Sequence, residues 1–227
     1  MRGLFNLAVS ALVLLCSVGV LAQEPSVAKG YLRFVNATGY EGMLHVKLDG
    51  VEISAAGYSS GLATGAVGFL PKECQIEMRH DTLGEVKVTL SLKPGLVSTV
   101  IALPLVEEEK KPKAGQAVAP VEKPKVELTH FVLDSAPFKA GSAPTLTVLQ
   151  STPMKAMELR VGKQALTLEP LKAGTVPLQG MGEFPVVMLA GKKVASMNMT
   201  DPADHVVVLF STDKGLVQNV TFSNLVN

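Results

Sequence analysis

The run Leu44-His45-Val46-Lys47-Leu48-Asp49-Gly50-Val51-Glu52-Ile53 decides the fold class. Apolar and polar residues alternate on both sides of Asp49-Gly50, a dipeptide suited to a two-residue type I′ turn. Folded about that turn, Leu48 faces Val51 and Val46 faces Ile53 on one side. On the other side Lys47 stands opposite Glu52, a complementary cross-strand pair. Both faces agree on one register, which predicts a β-hairpin.

The same two-residue period continues along the chain. Val86-Lys-Val88-Thr-Leu90-Ser-Leu92 alternates, and Pro94-Gly95 turns the chain into Val97-Ser-Thr-Val100-Ile101-Ala-Leu103. Few stretches sustain the 3.6-residue period of a helix. Further on, the plan recurs at low residue identity. Leu32-Arg-Phe-Val-Asn-Ala-Thr38 is matched by Leu146-Thr-Val-Leu-Gln-Ser-Thr152, and the hairpin by Met157-Glu-Leu159-Arg-Val161-Gly162-Lys163-Gln-Ala-Leu166-Thr-Leu168. There Gly162-Lys163 suits a type II′ turn that sets Leu159 opposite Leu166. Met197-Asn-Met199, Pro202 and Val206-Val-Val-Leu-Phe210 echo Leu90-Ser-Leu92, Pro94 and the strand after it. Val217-Gln-Asn-Val-Thr-Phe222 adds a last strand.

Between the copies lies a stretch rich in Glu, Lys, Pro and Ala with no apolar period, residues 107–126. It has no face to bury and reads as a solvated, semi-extended linker. The expected layout is thus two tandem immunoglobulin-like β-sandwich domains, residues 23–106 and 127–227, with a small Greek-key barrel as the alternative. Phe34, Val46, Leu48, Val88, Leu90 and Val100 should face inward in the first copy. Leu159, Val207 and Leu209 should do so in the second.

The first 22 residues carry Met1-Arg2, an apolar run over residues 4–15 and a small residue, Ala22, before the polar Gln23-Glu-Pro-Ser26. That is the pattern of a secretory signal peptide cleaved after Ala22. Cleavage of 22 from 227 residues leaves 205, and removes Arg2 and Cys16. The full chain holds 21 basic and 20 acidic residues, so the exported chain is electrically balanced and keeps Cys74 as its single thiol. Without a second cysteine no internal disulfide can form, and packing must supply the stability. The charge balance argues against a nucleic-acid binder.

Candidate chemistry is sparse. Gly57-Tyr58-Ser59-Ser60-Gly61 fits the G-x-S-x-G pattern of a nucleophile elbow, but Gly61, Gly65 and Gly68 argue against the helix that must follow it. Cys74 with His80 is a conceivable thiol–imidazole pair, and an inert thiol is the plainer reading. His45, His80, His130 and His205 are scattered singly, so no metal site or cofactor is expected. Asp201 and Asp204 suit a Pro202 turn as well as a calcium site. Asn36-Ala-Thr38, Asn198-Met-Thr200 and Asn219-Val-Thr221 are glycosylation triplets whose use depends on the host. Function is expected in the loops at 57–68 and 174–182, with Tyr58, Ser59 and Ser60 as partner-contact residues and Tyr40 near them in sequence.

The opening strand Tyr31-Leu-Arg-Phe-Val-Asn-Ala-Thr38, the Leu-Asp-Gly hairpin, the Tyr58-Ser-Ser loop and the Leu92-Lys-Pro-Gly95 turn resemble a family of bacterial secreted β-sandwich domains. The tandem layout is similar to that of the periplasmic adaptors of alginate O-acetylation. The resemblance implies a non-catalytic periplasmic or extracellular protein that docks onto exported or membrane proteins of a cell-envelope complex, and onto polysaccharide, in exopolysaccharide modification. Two other readings stand beside it: a small secreted serine hydrolase using Ser59, and a structural component of the cell surface or matrix.

Overall fold

The protein was described as a computed structural model covering residues 28–106, 125–151, 156–200 and 202–225. The expected signal peptide, most of the expected linker, Thr152 and Asp201 lie outside these residues. Every regular element described is a strand. The first unit holds β1 (Gly30–Asn36), β2 (Leu44–Leu48), β3 (Val51–Glu52), β4 (Val67–Phe69), β5 (Glu73–His80), β6 (Gly84–Ser91), β7 (Val97–Val106) and β8 (Val126–Ser135). The second holds β9 (Thr145–Gln150), β10 (Met157–Val161), β11 (Gln164–Leu168), β12 (Lys172–Pro177), β13 (Val186–Leu189), β14 (Lys192–Ser196), β15 (His205–Ser211) and β16 (Val217–Ser223).

The decisive hairpin forms as its sequence dictates. Asp49 and Gly50 take φ of 51° and 80°, the left-handed pair a type I′ turn needs, and Leu48 pairs with Val51 and Lys47 with Glu52. The turn is held by its own aspartate. Asp49 accepts the Gln75 N–H at 2.8 Å and pairs with Lys72, which ties it to the start of β5. Gly162 alone has positive φ in the second hairpin, where Leu159 pairs with Leu166.

Duplication is visible in the sheet orders. β4-β1-β7-β8 (sheet I) corresponds strand for strand to β12-β9-β15-β16 (sheet III). β3-β2-β5-β6 (sheet II) corresponds in the same way to β11-β10-β13-β14 (sheet IV). In both units the first strand runs parallel to the seventh, β1 with β7 and β9 with β15, and the other pairs are antiparallel. Sheets I and II enclose one core, including Phe34, Val46, Ile76, Met78, Val88 and Val100. Sheets III and IV enclose another, including Leu146, Leu159, Val187, Val207 and Leu209. Each unit is therefore a two-layered β-sandwich. The strand order differs from the ABED/CFG order of immunoglobulin domains, so that finer likeness is not carried over.

Three expectations need correction. β8 begins at Val126, within the expected linker, and pairs along its whole length with β7, from Val106↔Val126 to Val97↔Ser135. The charged Lys/Pro stretch is thus the connection of a hairpin inside the first unit. The units are joined instead by residues 136–144, where the Asn224 amide donates to the Ala136 carbonyl at 2.6 Å and to Ser135 Oγ at 3.0 Å. Secondly, the second strand of the hairpin, expected to run on through Ile53, stops at Glu52 as a two-residue edge strand, and Val51 and Ile53 are 70% and 43% exposed. Thirdly, the first four residues of the expected loop 174–182 are strand, with β12 paired to β9 from Lys172↔Gln150 to Pro177↔Thr145, and only 178–182 lie in the connection.

The two units also share a third core. Val35 and Ile101, on the outer face of sheet I, pack with Leu149, Val206, Val208 and Phe210 from the outer face of sheet III. Four sheets therefore stack in the order II–I–III–IV, and both middle sheets are buried on two sides. That is why Val100-Ile101-Ala102-Leu103 and Val206 to Phe210 are unbroken apolar runs: strands covered on both faces have no solvent side to mark with polar residues.

Candidate functional site

The connection from β3 to β4 is pinned to the first sandwich. Tyr58 and Leu44 exchange two backbone hydrogen bonds of 2.9 Å. The buried Asn36 amide donates to the Tyr58 carbonyl at 2.8 Å, and the Gly61 N–H donates to the Asn36 carbonyl at 2.7 Å. The Ser60 hydroxyl accepts the Gly39 N–H at 2.9 Å, so its oxygen is engaged in the fold. Tyr40 and Tyr58 pack against the first core. Of the four expected contact residues only Ser59 is exposed. No helix follows it among the described residues, so the strand–serine–helix geometry of a nucleophile elbow is not formed there.

Asn36 anchors a buried polar chain. Thr38 Oγ1 donates to Asn36 Oδ1 at 2.7 Å and lies 3.4 Å from His80 Nε2. The Thr82 N–H donates to His80 Nδ1 at 3.2 Å, which makes Nδ1 the acceptor and places the ring proton on Nε2. His80 is thus a neutral structural imidazole. Cys74 and His80 stand at opposite ends of β5, too far apart for a thiol–imidazole pair, and burial pushes the Cys74 thiol up. Asp204 accepts both the N–H and the hydroxyl of Thr145 at 2.7 Å, clamping the start of β9. Among the described residues no three His, Cys, Asp or Glu side chains gather as metal ligands. Of the glycosylation triplets, Asn36 is buried and its amide is engaged, Asn219 donates to the Val194 carbonyl, and Asn198 is exposed.

Burial lowers the pKa of His80, of His130, and of His205. At His80 and His205 the nearby Asp81 and Asp204 oppose it. The unfolded chain therefore binds these protons at higher pH than the native one does. Native stability should be full above the unfolded histidine value of about 6.5 and should fall as pH drops below it. A second loss should follow below about pH 4, as Asp49, held low by Lys72, and Asp81, held low by the Met43 N–H, are forced to protonate. Thermal melts from pH 8 to pH 3 check this; a midpoint unchanged or rising between pH 7 and 5 refutes the histidine part.

What the short edge strands leave open is an apolar groove of about 250 Å³ between sheets I and II. Leu32, Phe34, Leu48, Ile53, Tyr58, Val67 and Phe69 line it. Exposed Val51, Leu62 and Leu70 flank these residues along the chain. The second unit closes the same edge itself. There β11 and β12 follow each other across residues 169–171, and Leu166, Leu168, Val176 and Leu178 fill the space. The closure is tight: a Cβ on Gly174 of β12 would stand 2.7 Å from a Leu166 methyl and 2.8 Å from one of Leu168. Tyr58 is the one expected contact residue that lines the open groove. The others were favoured for loop chemistry, whereas the groove comes from strand length, and its sequence signal was the surplus of apolar residues in 51–70.

The outer face of sheet II carries instead an ion-pair network. Arg79 lies 3.6 Å from the Asp81 carboxylate and Lys87 lies 3.1 Å from that of Glu77. Such exposed pairs contribute little to stability. No protein-family model and no curated protein matches the chain.

Proposed function

We propose that the protein is an exported, non-enzymatic docking and scaffolding protein that captures an extended aliphatic segment of a partner in the open groove of its first sandwich. The observation that carries the reading is the contrast between the copies. One fills its β11/β12 edge with its own leucines, and the other leaves the matching edge apolar and vacant of side chains. A strand added beside β4 could pair its backbone while alternate side chains enter the groove. Large exposed apolar clusters on a soluble domain mark interaction surfaces. In this reading the rest of the four-layered stack is a rigid support, and the partner is an envelope protein of an exopolysaccharide-modifying or surface-assembly complex. Among the described residues no helix is long and apolar enough to cross a membrane.

The second copy supplies the probe. A synthetic peptide with the sequence of residues 163–169 (Lys-Gln-Ala-Leu-Thr-Leu-Glu) should bind the full chain with a Kd on the order of 1 mM, the affinity two partly buried leucines support. Amide shifts in NMR should centre on Ile53, Val67 and Phe69. Val67→Asp, at a position 57% exposed and so tolerant of charge, should weaken binding at least tenfold. Shifts mapping elsewhere, or equal binding by the variant, would sink the proposal.

A further inference from the structure

We propose that Arg33 anchors a second site, a binding recess for a small monocarboxylate at the seam between the two sandwiches. Arg33 belongs to β1, on the face of sheet I turned toward sheet III, and is 3% exposed. Its guanidinium carbon lies 4.6 Å from the centre of the Phe222 ring. One of its five N–H donors reaches the Leu225 carbonyl at 3.4 Å, the far end of hydrogen-bond range. Nε and Nη1 are buried and have no partner. Burial lowers the guanidinium pKa, and none of the ion pairs among the described residues includes Arg33.

A buried cation with open donors is costly unless something anionic meets it. Next to Arg33 is a recess of about 400 Å³ into which Gly65 and Ala66 of the first unit and Ser223 and Leu225 of the second face. That size suits a small molecule. Among the described residues Arg33 is the only charged one lining it, so a single negative charge balances the site and a doubly charged phosphate does not. The planar guanidinium fork matches the two oxygens of a carboxylate. Nε and Nη1 are themselves shielded, so the Arg33 side chain must turn toward the recess to meet a carboxylate there. Thr64 and Gly65 wall both this recess and the apolar groove, yet the two sites differ in chemistry and neither proposal needs the other.

Titration of the full chain with acetate and propionate at constant ionic strength tests the site, read by NMR of the Arg33 Nε–H and the amides of Gly65, Ala66 and Ser223. Saturable shifts confined to these groups are expected, with phosphate and sulfate at least tenfold weaker. Arg33→Met, which keeps the bulk and removes the charge, should abolish them, and Arg33→Lys should weaken them about tenfold. Absence of saturation in the wild-type chain overturns the proposal without any variant being needed. Equal binding of phosphate, or unchanged acetate shifts in a folded Arg33→Met chain, overturns it as well.

Discussion

Replacing Phe210 with Ala is expected to destabilise both sandwiches together, by about 3–5 kcal/mol. Phe210 is 1% exposed and is the largest fully buried side chain of the molecule's described residues. It projects from β15 toward sheet I, among Val35, Ile101 and Leu149. Truncation removes the ring's transfer energy and leaves a cavity between two sheets that cannot close without moving a whole sandwich. A convenient reporter exists. The chain has no Trp and three Tyr, at positions 31, 40 and 58, all in the first unit. Phe210 belongs to the second. In urea unfolding followed by tyrosine fluorescence, Phe210→Ala should lower the midpoint of the unit that does not contain the mutation. A tyrosine transition that stays in place while circular dichroism moves would show that the seam does not couple the units.

Gly39→Ala should be nearly as damaging, by about 3 kcal/mol or more, through a different cause. Gly39 has φ of 71°, where a Cβ is strained, and that Cβ would stand 2.1 Å from the Ser211 carbonyl oxygen and 2.9 Å from the Thr212 Cα. Both obstacles are backbone of the other unit, so neither can rotate away. Gly39 also receives the Asp213 N–H on its carbonyl at 3.1 Å, so displacement breaks a bond across the seam. Gly50→Ala is the control. Its φ of 80° carries the same kind of strain, but nothing lies within 4 Å, and the cost should be only about 1–2 kcal/mol. Equal losses in the two variants, measured by thermal or urea unfolding, would show that close approach at the seam contributes nothing.

How the strands read from sequence depended on how many of their faces met water. The hairpin at Asp49-Gly50 was legible because polar residues marked its solvent side, and its register holds at Leu48↔Val51 and Lys47↔Glu52. Val46, Val88 and Leu159 were legible as inward for the same reason, each lying between polar or charged neighbours; Phe34, Val100, Val207 and Leu209 also face inward, although no solvent-side residue marks them. Val35, Ile101, Val208 and Phe210 were not assigned a face, since a continuous apolar run carries no period from which to choose one. β8 was misassigned because a charged insertion breaks the sequence where the structure pairs its two flanks. The candidate site was legible only at Tyr58. Ser60 and Tyr40 were singled out as loop residues, yet the Gly39 N–H and the first core engage them.

Alternation and turn chemistry alone determined that the fold is all-β, built twice on one plan, because each is a local property of a few neighbouring residues. Which residues close the first unit, that the two units stack back to back, and that one sandwich edge stays open were decided only in three dimensions. Each of these depends on surfaces brought together from positions far apart in the chain, where side-chain shape and strand length determine the contact and no local pattern records it.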